Sequence, residues 1–167
     1  MTRKRGLTAL VASVTVAAAI ATGAIATTGA ASAGKASGNK LAGTWVVTVS
    51  RPAPLPPLVS LQVFTKTGSV IETANESPQT RTPSFGSWER IHGHLYAASA
   101  VFFRYDAGGN FIGSQKIDRT IEVAPDGETF KHVARVTVLD ANGNALASFV
   151  ARAAGERMAV DQIPDLP

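Results

Sequence analysis

The chain has 167 residues, 45% of them hydrophobic, with a formal net charge of +4 and no cysteine. The lack of cysteine excludes disulfides, thiolate chemistry and a lipid-modified cysteine anchor. Beyond residue 33, Lys and Arg are scattered singly, without the basic stripe that tracks a phosphate backbone, so no nucleic-acid partner is expected.

Thr2-Arg3-Lys4-Arg5 is a basic n-region, Leu7 to Ala26 is an uncharged run rich in Ala, Val and Ile, and Ala31-Ser32-Ala33 is a small-x-small cleavage site. That layout predicts a secretory signal peptide over 1–33, cleaved after Ala33, and a secreted product. A single membrane anchor is the alternative, but the run is weakly hydrophobic and no basic stop-transfer cluster follows, so no stable membrane insertion is expected after cleavage. Three of the positive charges leave with that segment, and the remainder is nearly neutral. Residues 34–40 read as a flexible leader, 41–160 as one domain and 161–167 as a C-terminal tail.

β-branched and aromatic enrichment between turn signals predicts eight strands, near 43–50, 58–65, 69–74, 86–92, 94–105, 111–124, 128–140 and 145–155. The signals are Lys66-Thr67-Gly68, His92-Gly93, Gly108-Gly109-Asn110, Asp126-Gly127 and Asn142-Gly143. The expected fold is all-β, an eight-stranded antiparallel up-and-down barrel. Asp-Gly and Asn-Gly favour two-residue type I′ hairpins, because both central residues take positive φ.

Those two turns set registers that can be tested against each other. A loop at Asp126-Gly127 pairs Val123 with Phe130 and Ile121 with His132; one at Asn142-Gly143 pairs Val138 with Ala147 and Val136 with Phe149. Together they place Ile117, Ile121, Val123, Phe130, Ala134, Val136, Val138, Ala147 and Phe149 on one face. Lys116, Asp118, Glu122, Lys131 and Arg135 fall on the other, the alternation of a half-buried sheet. The facing of strand 94–105 stays open, since its turn can use two or three residues.

In a meander, successive connections alternate between barrel ends. The two longest, the proline-rich 51–57 and the 75–85 segment, fall at one end, and only tight turns fall at the other. This predicts a mouth and a closed base, with the prolines forming either a stiff flap or an edge-protecting spacer.

At Gly43-x-Trp45 the chain resembles the calycin superfamily of lipocalin-like barrels. The resemblance implies that Trp45 packs near the closed end and that Arg157, in Gly155-Glu156-Arg157 after the last strand, lies over it in a cation–π contact. The chain lacks the Thr-Asp-Tyr segment, the helix after strand 8 and the usual cysteines of lipocalins, and so resembles a separate bacterial, secreted branch of these barrels. Gly43, Trp45 and Arg157 are therefore expected to be structural. A second Gly-x-Trp at Gly86 and Trp88 reflects either a duplicated half-barrel or chance recurrence.

Arg119 lies between Ile117 and Ile121 on the apolar face, with His132 diagonal to it on the next strand. A charge there needs a partner or a ligand. Arg119 and His132 are thus the expected pocket pair, with Arg119 binding a carboxylate or enolate oxygen and His132 donating a hydrogen bond or shuttling a proton. If the protein is an enzyme, these two are its catalytic residues. The alternative turns Arg119 outward at a bulge or pairs it with Glu89 or Asp118. Phe130, Ile121, Tyr96 and Phe102 complete the expected ligand-binding set. His92, His94 and His132 have no evident fourth ligand, so neither a metal nor another cofactor is expected.

The first functional reading is a secreted barrel holding a small apolar or amphipathic molecule in its lumen, drawn partly from fold analogy. The second is an isomerase or cyclase acting on a polyketide- or terpenoid-like substrate. The third is an interaction protein, such as a protease inhibitor, that uses the mouth loops.

Overall fold

The computed structural model describes residues 39–51, 54 and 56–160. The expected signal peptide and the C-terminal tail lie outside the described residues, as does all of the expected leader except Asn39 and Lys40. Eight strands follow in chain order: β1 (Gly43–Val49), β2 (Leu58–Phe64), β3 (Ser69–Ala74), β4 (Ser84–His92), β5 (Leu95–Tyr105), β6 (Phe111–Val123), β7 (Thr129–Leu139) and β8 (Ala145–Arg157). Each pairs antiparallel with the next, and β8 returns to β1, closing the barrel.

The β6–β7 and β7–β8 registers are those read from the alternation: Val123 opposes Phe130, Ile121 opposes His132, Val138 opposes Ala147 and Val136 opposes Phe149. The turns that produce them are wider than expected. Ala124 N–H donates to Thr129 O at 2.8 Å, so the β6–β7 loop is widened by one residue on each side, which leaves the register unchanged. The β7–β8 loop closes where Asp140 N–H donates to Asn144 O at 2.9 Å, one residue off the two-residue scheme. A register shift between Val138 and Leu139 then restores the expected pairing. The β5–β6 hairpin repeats this construction. Asp106 and Asn110 stand where Asp140 and Asn144 stand, and the shift falls between Arg104 and Tyr105. At both tips the Asp side chain accepts backbone N–H bonds two and four residues on, at 2.8–2.9 Å.

Strand β5, whose facing the sequence left open, turns Tyr96, Ala98, Ala100 and Phe102 inward. Two members of the expected apolar face lie on it without being buried. Ala147 and Phe149 are exposed, because β1 ends at Val49 opposite Ala153 while β8 continues upward from there, paired only with β7.

The connections 50–57, 75–83, 106–110 and 140–144 share one end, and 65–68, 93–94 and 124–128 share the other. The second end is filled. Trp45 packs on Phe130 with ring centroids 4.8 Å apart, Phe64 on Trp88 at 6.0 Å, and Trp88 on Tyr96 at 5.8 Å, with Leu41, Val70 and Val123 between them. Burying each such side chain contributes about 1.5–3 kcal/mol. Both indole N–H groups are satisfied by backbone carbonyls, Trp45 to Leu41 at 2.9 Å and Trp88 to Thr65 at 3.1 Å.

Arg157 caps this base. Its guanidinium carbon lies 4.3 Å from the Trp45 ring centroid, its Nε donates to Gly127 O at 2.7 Å and its Nη1 to Ala42 O at 3.1 Å, with a further bond to Lys40 O. The end of the expected leader is thereby tied to the base, and Lys40 also donates to Pro125 O. Gly43, at φ +140°, leaves the space the cap occupies: a Cβ there would lie 2.4 Å from Arg157 Nη1. This Gly–Trp–Arg arrangement in a closed eight-stranded barrel is compatible with a calycin-like fold.

Candidate functional site

A polar layer sits on the aromatic floor. Parity along β2 and β3 turns Ser60, Gln62 and Glu72 inward, opposite the strand that carries Arg119. Arg119 reaches across the lumen: Nη2 donates to Glu72 Oε2 at 2.9 Å and Nη1 to Gln62 Oε1 at 3.0 Å. Gln62 in turn donates to Ser60 Oγ at 3.2 Å. Arg119 and Glu72 are each 4% exposed, so the ion pair is buried.

Arg119 therefore points inward and has an internal partner. That partner is Glu72, neither of the two acids considered from sequence. Asp118 is on the outer face, where its carboxylate meets Ser99 Oγ and Lys116 Nζ, and Glu89 is exposed. Glu72 and Gln62 escaped the sequence reading because no facing had been assigned to β2 and β3. The available signal was parity: Glu72 lies two residues from Val70, and Gln62 two residues from Phe64, on strands of strict alternation.

His132 joins this layer from β7, stacked on Phe130 with centroids 5.9 Å apart and planes 19° from parallel. Burial, reinforced by the nearby Arg119 charge, pushes its pKa down to about 3. The imidazole is thus neutral at neutral pH. Its Nδ1 and the Nε of Arg119 are both buried without a hydrogen-bond partner.

Above the layer the barrel is open, with a cavity of about 870 Å³ running to the mouth. Gln62, Glu72, Arg119 and His132 line its bottom; Phe102, Ile117, Ala134 and Val136 line its walls. Of the expected ligand-binding set, Arg119, His132 and Phe102 line the cavity. Phe130, Ile121 and Tyr96 are buried among the core side chains beneath it.

The rim carries a second polar cluster. Arg81 donates from Nη1 to Glu76 Oε2 at 2.9 Å and from Nη2 to Ser84 Oγ at 3.2 Å, and its guanidinium lies 3.9 Å over the Phe102 ring. Arg51 reaches the same glutamate at 3.5 Å. Backbone bonds from Thr82 N to Phe103 O and from Tyr105 N to Thr80 O stitch the 75–83 loop along the upper edge of β5. Among the described residues, no three His, Asp or Glu side chains are grouped so as to hold a metal ion. Comparison with protein-family models and with curated proteins found no match to this chain.

Proposed function

We propose that the protein is an exported carrier that holds one small, predominantly apolar molecule in its lumen. The observation that carries this reading is the unfilled upper half of the barrel, a cavity of about 870 Å³ with apolar walls above a packed floor. That volume is within the roughly 300–1,000 Å³ of small-molecule sites, whose walls are mostly apolar with a few placed polar groups. The basic n-region, apolar run and small-residue site at the N-terminus support export.

Binding accounts for the polar layer better than catalysis does. A proton shuttle works best with a pKa near the operating pH, and His132 is held far below it. An enolate would need an uncommitted positive charge, whereas Arg119 is already matched by Glu72.

The test is titration with the neutral apolar fluorophore N-phenyl-1-naphthylamine. The wild type is expected to bind it saturably, and Ala134→Phe, which fills the wall, to bind it at least about tenfold more weakly, a difference of roughly 1.4 kcal/mol. Equal binding by both proteins would place the fluorophore outside the lumen and overturn the proposal.

A further inference from the structure

Every charge in the polar layer is already matched, and that balance restricts what the cavity accepts. Arg119 contributes one positive charge and Glu72 one negative charge, in direct contact across the lumen. His132 and Gln62 add none. What the layer leaves unused is hydrogen-bonding capacity with no net charge to spare: the Nε–H of Arg119 and the Nδ1 of His132. A neutral imidazole has one donor nitrogen and one acceptor nitrogen.

We infer that the lumen selects apolar molecules whose polar end is an uncharged oxygen, an alcohol above all, over carboxylates of the same length. The inference rests on the carrier reading. A hydroxyl oxygen both accepts and donates, and so matches a guanidinium N–H together with an imidazole nitrogen. A carboxylate brought to the same place would add a second negative charge beside the buried Glu72 with only one guanidinium to share. It would have either to displace Glu72, leaving that acid buried and unpaired, or to be neutralised by taking up a proton.

The opposite pose is the competing arrangement. Arg51 and Arg81 share the single Glu76 at the rim, where Arg104 also lines the cavity, so an anionic head could sit at the mouth with its tail pointing down. The tail would then end against the Arg119–Glu72 pair, burying polar groups under a methyl and leaving the free donor unmatched.

The experiment compares decanol with decanoate, each displacing N-phenyl-1-naphthylamine at neutral pH, on the wild type and on Glu72→Gln. The isosteric amide keeps an acceptor for Arg119 and removes the matching charge. The wild type is expected to bind decanol at least about tenfold more tightly than decanoate. Glu72→Gln is expected to lose that preference through a gain in decanoate affinity. Equal or tighter wild-type binding of decanoate overturns the inference, as does a preference that Glu72→Gln leaves unchanged, which would put the head at the rim; the carrier reading survives both results. Failure of the fluorophore and both ligands to bind the wild type removes the carrier reading and the inference with it. Should Glu72→Gln fail to fold, the wild-type ratio alone decides.

Discussion

Arg119 on β6 and Glu72 on β3 come from opposite walls of the barrel and meet at 2.9 Å, spanning the lumen with one buried ion pair. This crossbar divides the interior into a packed aromatic base and an open upper chamber. It also holds strands far apart in sequence to a common height.

Removing one end of the crossbar should cost more than removing both. Glu72→Ala leaves a buried guanidinium unmatched and is expected to destabilise by about 3–5 kcal/mol in urea unfolding. The double variant Glu72→Leu with Arg119→Met replaces charge by apolar volume and should recover most of that loss. A double variant as unstable as the single one would mean that the pair is not what the site depends on.

The Arg157 cap is expected to be specific to arginine. Arg157→Ala loses the contact with Trp45 and the bonds to Gly127 and Ala42 carbonyls, for a loss of about 1–3 kcal/mol. Arg157→Lys keeps the charge but not the planar fork, and should restore less than half of it. Urea midpoints read by tryptophan fluorescence decide the matter; full restoration by lysine would reduce the cap to simple charge.

Gly155 is required by the ring it faces. A Cβ there would lie 2.4 Å from Phe130 Cζ. Gly155→Ala should therefore destabilise by about 1–3 kcal/mol through overpacking. Adding Phe130→Leu should relieve part of that strain, so that the double variant falls short of the sum of the two single losses in thermal melting. Strict additivity would show that the contact is relieved some other way.

His132 should make the protein acid-sensitive from near pH 6.5 downward. Its folded pKa, about 3, lies below the ordinary value of 6.5, so the unfolded chain binds the additional proton across that window. Its contribution is fully present above about pH 6.5 and declines as the pH falls toward 3, by at most about 1.4 kcal/mol per pH unit. Asp106 and Asp140, whose pKa values are lowered by side-chain bonds from Asn110 and Asn144, act in the same direction only below the ordinary carboxylate range. His132→Phe should flatten the profile between pH 6.5 and 4. An unchanged slope would show that the imidazole is protonated in the folded state.

Much of the barrel is readable from the chain because antiparallel hairpins are local. Alternation on β6, β7 and β8 admits one register, since a slip of one residue would send Lys131 and Glu122 inward. That constraint is strong enough to give the right pairing even where the turn differs. The loop at Asp140–Asn144 takes an extra residue, and the neighbouring bulge absorbs it. The recurrence of Asp-Ala-x-Gly-Asn at 106–110 and 140–144 was a signal for that turn type, with the first Asp accepting the N–H bonds that the loop exposes. Gly43, Trp45 and Arg157 were legible through the resemblance, although their contact joins opposite ends of the domain.

The chain alone determined the strands, their order, the faces of β6, β7 and β8 and which end is sealed, because these follow from turn residues and a period of two acting over short distances. Closure of the sheet decided the rest. It set Glu72 and Gln62 against Arg119 and left the upper lumen unfilled by side chains. It also placed Phe130, Ile121 and Tyr96 in the floor beneath the cavity. A buried charge announces that it needs a partner, but only the circumference of the closed barrel selects which distant strand supplies one.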